Sequence, residues 1–493
     1  MRFRFFGVQK RWRRFSKPPT LYIGMASIAL CLSSPRAYCE ELPDLLRMTG
    51  EHPSVAAARS EANASESDIT VAKAEGKVHV NAGIDSRSYT DQPGYHDELF
   101  SPFVSANKLL YDHGRLDATV NERSAAYQAS LASVKWQREI INKQLTTLYT
   151  TALSQHVTGN ILQEQVNTLQ ALRDKVSAIA RIDPGRASEV HQVDSRLASA
   201  MANREGRAIG EHEAWKQITN LLHQPVTLTH DLPDLSRMML LPQSEEQAEQ
   251  LLLNHPELLA ARAHQDESLA ALDAASKWNR PRWTIDVRAQ SQRDRQNGGM
   301  EFGSVVVQLS SNLSLLDGGG GAANTHSQAQ HAAAAESAVE NASRELQQEF
   351  QRLWVALPIR KQQLTELEAA VDAADRMRAT GEEQFFAGRR PLTDLMGFDS
   401  EYYNARISYE EQRIQYLSSQ WLIMSALGQL SDLADVSRPW QTPRLADIAN
   451  ATGKHRPAGN TSAAQNPRNA QALRASLNST LSATPAAGLP NLK

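Results

Sequence analysis

Cysteine is almost missing from this 493-residue chain: the two present, Cys31 and Cys39, both fall within the first 39 residues. With that segment removed, the chain has neither a disulfide framework nor a thiolate metal site, so stability must come from packing and assembly. Long hydrophobic runs are missing too. No stretch beyond the amino terminus approaches 18 consecutive apolar residues, which excludes a membrane-spanning helix but not a barrel, whose strands carry a weaker signal. Excess charge is absent as well: the formal net charge is -3, with no basic stripe of the kind a nucleic-acid partner requires. Fourteen histidines are scattered without a His-Glu-x-x-His pair, so no metal site is expected. No catalytic constellation and no cofactor motif appear, and the chain does not read as an enzyme.

The amino terminus differs from the rest. Basic residues Arg2, Arg4, Lys10, Arg11, Arg13, Arg14 and Lys17 precede an apolar run from Leu21 to Leu32. That pattern is a secretory signal peptide over residues 1–39, with Ala37 and Cys39 at the minus-three and minus-one positions of a cut before Glu40. The apolar run falls short of the roughly 20 residues that cross a bilayer as a helix. Leu30 and Tyr38 precede the two cysteines, which is not the small-residue pattern of lipid attachment.

An internal duplication organises the rest of the chain. Asp112 in Leu110-Tyr111-Asp112-His113-Gly114 corresponds to Asp317 in Leu315-Leu316-Asp317-Gly318-Gly319 at an offset of 205. The same offset relates Ser188-Glu189-Val190 to Thr393-Asp394-Leu395, and Ile218–Gln224 to Ile423–Gln429. His52-Pro53 corresponds to His255-Pro256 with a slip of two. The expected organisation is a first repeat over 40–225, an inter-repeat linker over 226–242, a second repeat over 243–432, and a disordered tail over 433–493. The tail is rich in Ala, Pro, Asn, Ser and Thr and has no acidic residue after Asp447.

Each repeat reads as an opening helix, two strands, a very long helix, a tight turn and a returning helix. The opening helices are expected over about Glu41–Gly76 and Ser244–Trp278. Trp283, Ile285, Val287 and Ala289 alternate with polar neighbours, as do Val305, Val307, Leu309, Leu313 and Leu315. Val78, Val80, Ala82 and Ile84 do so in the first repeat, giving hairpins over about 77–111 and 282–316. The stretches from Leu116 to Ala180 and from Ala322 to Ala387 lack turn clusters. They carry apolar residues at three-four spacing, among them Ile141, Leu145, Leu148 and Ala152, and Leu346, Phe350, Leu353 and Leu357. At about 1.5 Å per residue each such helix reaches roughly 100 Å, too long for a compact globule. Pro358 is expected to kink the second. Turns over about 182–187 and 387–391 end the long helices. Asp112 and Asp317 read as structural caps at strand-to-helix junctions, with Gly114, Gly318 and Gly319 beside them. The glycine run from Gly318 is no phosphate loop, because no Lys-Ser or Lys-Thr follows.

Four alternating strands cannot stay an open sheet in a membrane, since each bare peptide group costs several kcal/mol in hydrocarbon. Membrane barrels need at least eight strands, so copies of the chain must pool theirs.

On the duplicated order, and on Leu316-Asp317-Gly318-Gly319, Phe386-Ala387-Gly388, Leu392-Thr393-Asp394-Leu395, Tyr403-Asn404-Ala405-Arg406 and Ser425-Ala426-Leu427-Gly428, the chain resembles the TolC-type outer-membrane efflux and secretion channels over residues 41–430. The resemblance implies a mainly α fold with membrane β: a homotrimer whose twelve-stranded barrel is continued by a periplasmic helical coiled-coil tunnel. It implies a Gram-negative outer membrane, contact with outer-membrane lipid, and work beside a periplasmic adaptor protein and an inner-membrane ABC or proton-driven transporter. It also implies a pore gate at the helical tip, where Asp394 falls on an acidic-ring position and Arg390 on a tip arginine. A second acidic position is Gly397 here, for which Asp399 or Glu189 are candidate substitutes. The expected function is passive exit for a type I protein secretion system. The alternatives are the duct of a multidrug or metal efflux pump, and a periplasmic coiled-coil scaffold without a pore.

Overall fold

A computed structural model describes residues 38–39, 41–87, 98–227, 231–293, 300–301 and 303–435. All but residues 38–39 of the expected signal peptide and almost all of the expected tail lie outside the described residues.

The opening helix of each repeat is broken in two, where a single helix was expected: α1 (Leu42–Met48) and α2 (Pro53–Ala74) in the first, α5 (Glu245–Leu252) and α6 (Pro256–Ser276) in the second. The cause is the shared His-Pro pair. Proline has no amide to donate, so it stands at the first helical position, and the preceding histidine takes extended backbone. His52 Nδ1 then accepts the Ser54 amide and His255 Nδ1 the Glu257 amide, each at 3.1 Å.

The strands are β1 (His79–Arg87), β2 (Glu98–Tyr111), β3 (Arg282–Gln290) and β4 (Val305–Asn312). They form one antiparallel sheet in sequence order, with β2 pairing β3 across the repeats, so β1 and β4 are its edges. β4 ends at Asn312, short of the expected Leu315. Leu315 and Leu316 are left 81% and 92% exposed in the approach to the Gly318-Gly319 turn.

The long helices are α3 (Arg115–Ile182) and α7 (Gly320–Phe386), and the returning helices are α4 (Ala187–Leu222) and α8 (Leu392–Ala426). At 1.5 Å per residue the 68 residues of α3 extend about 100 Å. α7 is continuous as an α-helix through Pro358, the position of the expected kink. The three-four seam is buried as its spacing requires: Leu145, Tyr149, Ala152, Leu346 and Phe350 join Trp421 and Ile423 in the main core.

The duplication extends to backbone detail. His223, at the end of α4, and Gly428, 205 positions later at the end of α8, both have left-handed φ, of 54° and 69°. Gly428 lies against His255 and Pro256, where a Cβ would collide with the proline ring. The segment between the repeats is not a loose connection. Leu232 and Leu235 are buried, Trp421 Nε1 donates to the Pro233 carbonyl at 3.1 Å, and Arg413 bridges Asp231 and Glu410 at 2.5 and 2.6 Å. A last helix, α9 (Leu430–Asp435), docks beside α3, where Glu139 Oε1 accepts the Ser431 amide at 2.7 Å.

Candidate functional site: the strand face and the helical tip

Pairing across the sheet sorts its side chains onto two faces. Val80, Ala82, Val104, Ala106, Ile285, Val287, Ala289, Val305, Val307 and Leu309 share one face by register. These residues are apolar yet open: Val80 is 66% and Val305 67% exposed. Water does not favour such a surface, whereas hydrocarbon does. An irregularity between Leu109 and Tyr111 shifts the register so that Tyr111 stands opposite Trp283, giving an aromatic pair at the helix-proximal end of the sheet. Aromatic rings of this kind gather where a membrane meets water.

The opposite face is polar, carrying Asn81, Asp85, Ser105, Asn107, Thr284, Asp286, Arg288, Gln308 and Ser310. Arg288 is paired with Asp85 and lies 3.9 Å over the Phe103 ring. Phe103 in turn covers Gly83, where any Cβ would strike the ring.

At each junction from strand to helix the capping aspartate reaches past a left-handed glycine. Asp112 Oδ2 accepts the Leu116 amide at 2.7 Å over Gly114 at φ 75°. Asp317 accepts the Gly319 amide at 3.0 Å and the Gly321 amide at 2.5 Å, with Gly318 and Gly319 at φ 71° and 88°. These contacts satisfy amides that a helix start leaves bare.

At the far end, Gly388 closes α7 at φ 70°: its amide donates to the Phe385 carbonyl and that of Arg389 to the Gln384 carbonyl, both at 2.9 Å. This is a Schellman closure, which needs a left-handed residue at that place. Arg390 follows, with Nε donating to Gln384 at 2.5 Å and Nη1 3.4 Å from Asp394 Oδ2 in the first turn of α8. Glu189 does not join that pair. It binds Arg186 at 2.9 and 3.0 Å on the tip of the first hairpin, and Arg186 lies 5.5 Å from the Phe385 ring centroid. Lys175 adds a second tie between the tips, 3.0 Å from Glu382 and 4.7 Å from the Phe386 ring centroid.

Asp399 sits elsewhere again. It is buried between α7 and α8, with Oδ1 3.8 Å from Arg378 Nη1 and Oδ2 without a hydrogen-bond partner. It is therefore not a second exposed acid beside Asp394. Burial raises its carboxyl to about 6, against the pull of Arg378. Higher on α8, Tyr403 meets Thr168 at 2.7 Å and Arg406 binds Glu164 at 2.5 Å, fastening α8 to α3. Sequence reasoning missed Arg186, Lys175 and Phe385. The Phe385-Phe386 pair at a helix end was the available signal.

Among the described residues no helix is long and apolar enough to cross a membrane, and no group of His, Cys, Asp and Glu could hold a metal.

Residues 248–429 match the family described as outer membrane efflux protein. No curated protein matches by sequence. Solved structures do match by fold. The outer membrane protein VceC of Vibrio cholerae is 14% identical with a TM-score of 0.66, covering 78% of this chain and 96% of its own. The MtrE outer membrane channel of Neisseria gonorrhoeae, in its open state, is 17% identical with a TM-score of 0.66, covering 78% of this chain and 88% of its own. The CmeC outer membrane channel of Campylobacter jejuni is 13% identical with a TM-score of 0.66, covering 78% of this chain and 84% of its own. The shared fold is that of these outer-membrane channels. The efflux-protein family pattern thus lies in the second repeat, while the fold of the matched outer-membrane channels extends across both.

Proposed function

We propose that three copies of the chain form one passive duct, and the observation that carries this is a sheet with an open apolar face and two free edges. Each copy supplies four strands, and the β1 edge of one copy pairing the β4 edge of the next closes a twelve-stranded barrel. Closure removes the bare peptide groups that hydrocarbon penalises. The polar strand face lines the lumen, and α3, α4, α7 and α8 continue it as a helical wall into the periplasm. A water-soluble scaffold gives no reason for the apolar face.

At the tip, Arg390 and Asp394 with Gly388 form the narrow end, and Glu189 with Arg186 supports it from the neighbouring hairpin. In a threefold assembly Asp394 makes an acidic ring. Replacing Asp394 with Ala is expected to weaken block by trivalent cations in single-channel recording. Unchanged block removes the gate role.

The duct serves a tripartite exporter, with a periplasmic adaptor and an inner-membrane transporter as partners. The match to a family described as outer membrane efflux protein supports small-molecule or metal efflux. The absence of a lipid-attachment pattern at Cys31 and Cys39 is the observation that keeps type I protein secretion as the second reading. Deletion of the gene separates them: a loss of resistance supports efflux, and a large protein missing from the medium supports secretion. Fractionation, detergent extraction and sizing test the duct itself. A monomer that is soluble without detergent would end the proposal.

A further inference from the structure

The polar strand face carries one acid whose described partners are all neutral, unlike Asp394 at the tip. Its charges on the described strands, leaving aside Arg87 and Glu98 at the hairpin's far end, are Asp85, Arg282, Asp286 and Arg288. Arg288 is paired with Asp85, and Arg282 Nη2 stands 3.9 Å from Glu75 at the end of α2. Among the described residues Asp286 has only neutral donors: the Asn107 amide meets Oδ1 and the Thr284 hydroxyl lies 3.5 Å from Oδ2. Neutral donors orient a carboxylate without cancelling its charge, whereas a guanidinium cancels it. Lys108, the nearby cation of β2, stands opposite Ile285 and so belongs to the apolar face. Asp394 at the tip differs, because Arg390 lies 3.4 Å away within the same chain.

Asp286 is the fifth residue of β3, about 13 Å along the strand from its helix-proximal end at 3.3 Å per residue. Asn107 on β2 and Gln308 on β4 are its register partners, so the carboxylate sits mid-sheet, and a rigid ladder on both sides fixes its height. Arg288, two residues on, is held by Asp85, by the Phe103 ring and by Gln290 at 3.2 Å, which keeps its cation turned away from any role as counter-ion to Asp286.

We propose that Asp286 is a charge-selecting residue of the barrel lumen, favouring passage of cations and cationic solutes independently of the helical tip. This rests on the proposed trimeric barrel: three protomers place three such carboxylates at one height. A ring of like charge in a confined lumen concentrates counter-ions and excludes co-ions. Lumen-facing substitutions in barrels tune selectivity without disturbing the lipid face.

The test uses the full-length assembly in planar bilayers under a KCl gradient, read by the reversal potential. The background is the double variant Arg390→Ala, Asp394→Ala, which removes the charge pair of the second tip turn. A cation preference is expected to persist there and to fall by about a factor of two or more on adding Asp286→Asn. Gln308→Glu, which adds a carboxylate at the register partner of Asp286 and leaves its Asn107 donor in place, is expected to raise the preference. This charge-adding variant keeps the test decisive even if Asp286→Asn assembles poorly. Both variants with the reversal potential of their background, at equal conductance, overturn the proposal while leaving the channel intact. A chain that forms no detergent-stable oligomer and no conductance overturns the barrel reading and this inference with it.

Discussion

Replacing Asp399 with Asn should stabilise the protein at neutral pH, against the usual outcome of removing an acid from an ion pair. The carboxylate is 4% exposed, its nearest cation is 3.8 Å away, and one oxygen has no hydrogen-bond partner. Desolvation outweighs the attraction of Arg378 and is reinforced by Glu382, so the carboxyl rises from 3.8 to about 6. That rise is worth about 3 kcal/mol between the two protonation states. The sign comes from proton binding. Between about 4 and 6 the folded chain holds a proton that the unfolded chain has released, so the contribution is fully present in acid and is lost as pH rises through about 6. Asparagine imitates the protonated carboxyl at every pH. Arg378 keeps Asp375 at 3.0 Å and the Tyr402 ring at 4.4 Å, so it is not stranded by the change. Thermal unfolding of the detergent-extracted protein from pH 4.5 to 8 reads the difference between variant and parent. That difference should be small at pH 4.5 and grow in the variant's favour, reaching about 3 kcal/mol at most by pH 7.5. A difference independent of pH, or one that grows toward acid, refutes the reasoning.

His255 should behave with the opposite sign. Its Nδ1 accepts the Glu257 amide, its Nε2–H donates to the Ser425 carbonyl at 3.3 Å, and burial holds its pKa down to about 4. Its contribution is present above the unfolded value of 6.5 and is lost as pH falls from there to about 4, and His255→Ala should cost about 1–3 kcal/mol near neutral pH and remove that part of the acid dependence. Gly388→Val should cost about 1–2 kcal/mol, because the left-handed φ of 70° at the end of α7 places a side chain against the backbone. Limited trypsin digestion should then cut faster after Arg389, the Arg390–Pro391 bond being resistant, and equal rates would show that the turn tolerates the change.

Much of this architecture was legible in the residues alone. The 205-residue offset announced two copies of one unit, and the offset holds to the left-handed backbone shared by His223 and Gly428. Strand alternation separated an apolar from a polar face because successive side chains on a strand point opposite ways whatever surrounds them. The capping aspartates were legible for the same reason: Asp112 and Asp317 act on amides within four residues. The Arg390–Asp394 contact was not: the two were singled out separately through the resemblance, and their pairing comes from the fold.

What the sequence did not disclose depends on partners far along the chain. Nothing local distinguishes Asp399 from Asp394, five residues earlier, yet one is buried against Arg378 of α7 and the other is open at the tip. The His-Pro pairs read as repeat markers, and only the fold shows His255 clamped between the start of α6 and the end of α8. The stretch between the repeats read only as a linker, while its burial comes from Trp421 and Arg413 on α8. Periodicity and capping arise from backbone geometry within a few residues, and these the sequence determined by itself. Which charge is solvated and which is buried is set by contacts across hundreds of residues, and only the tertiary structure decided that.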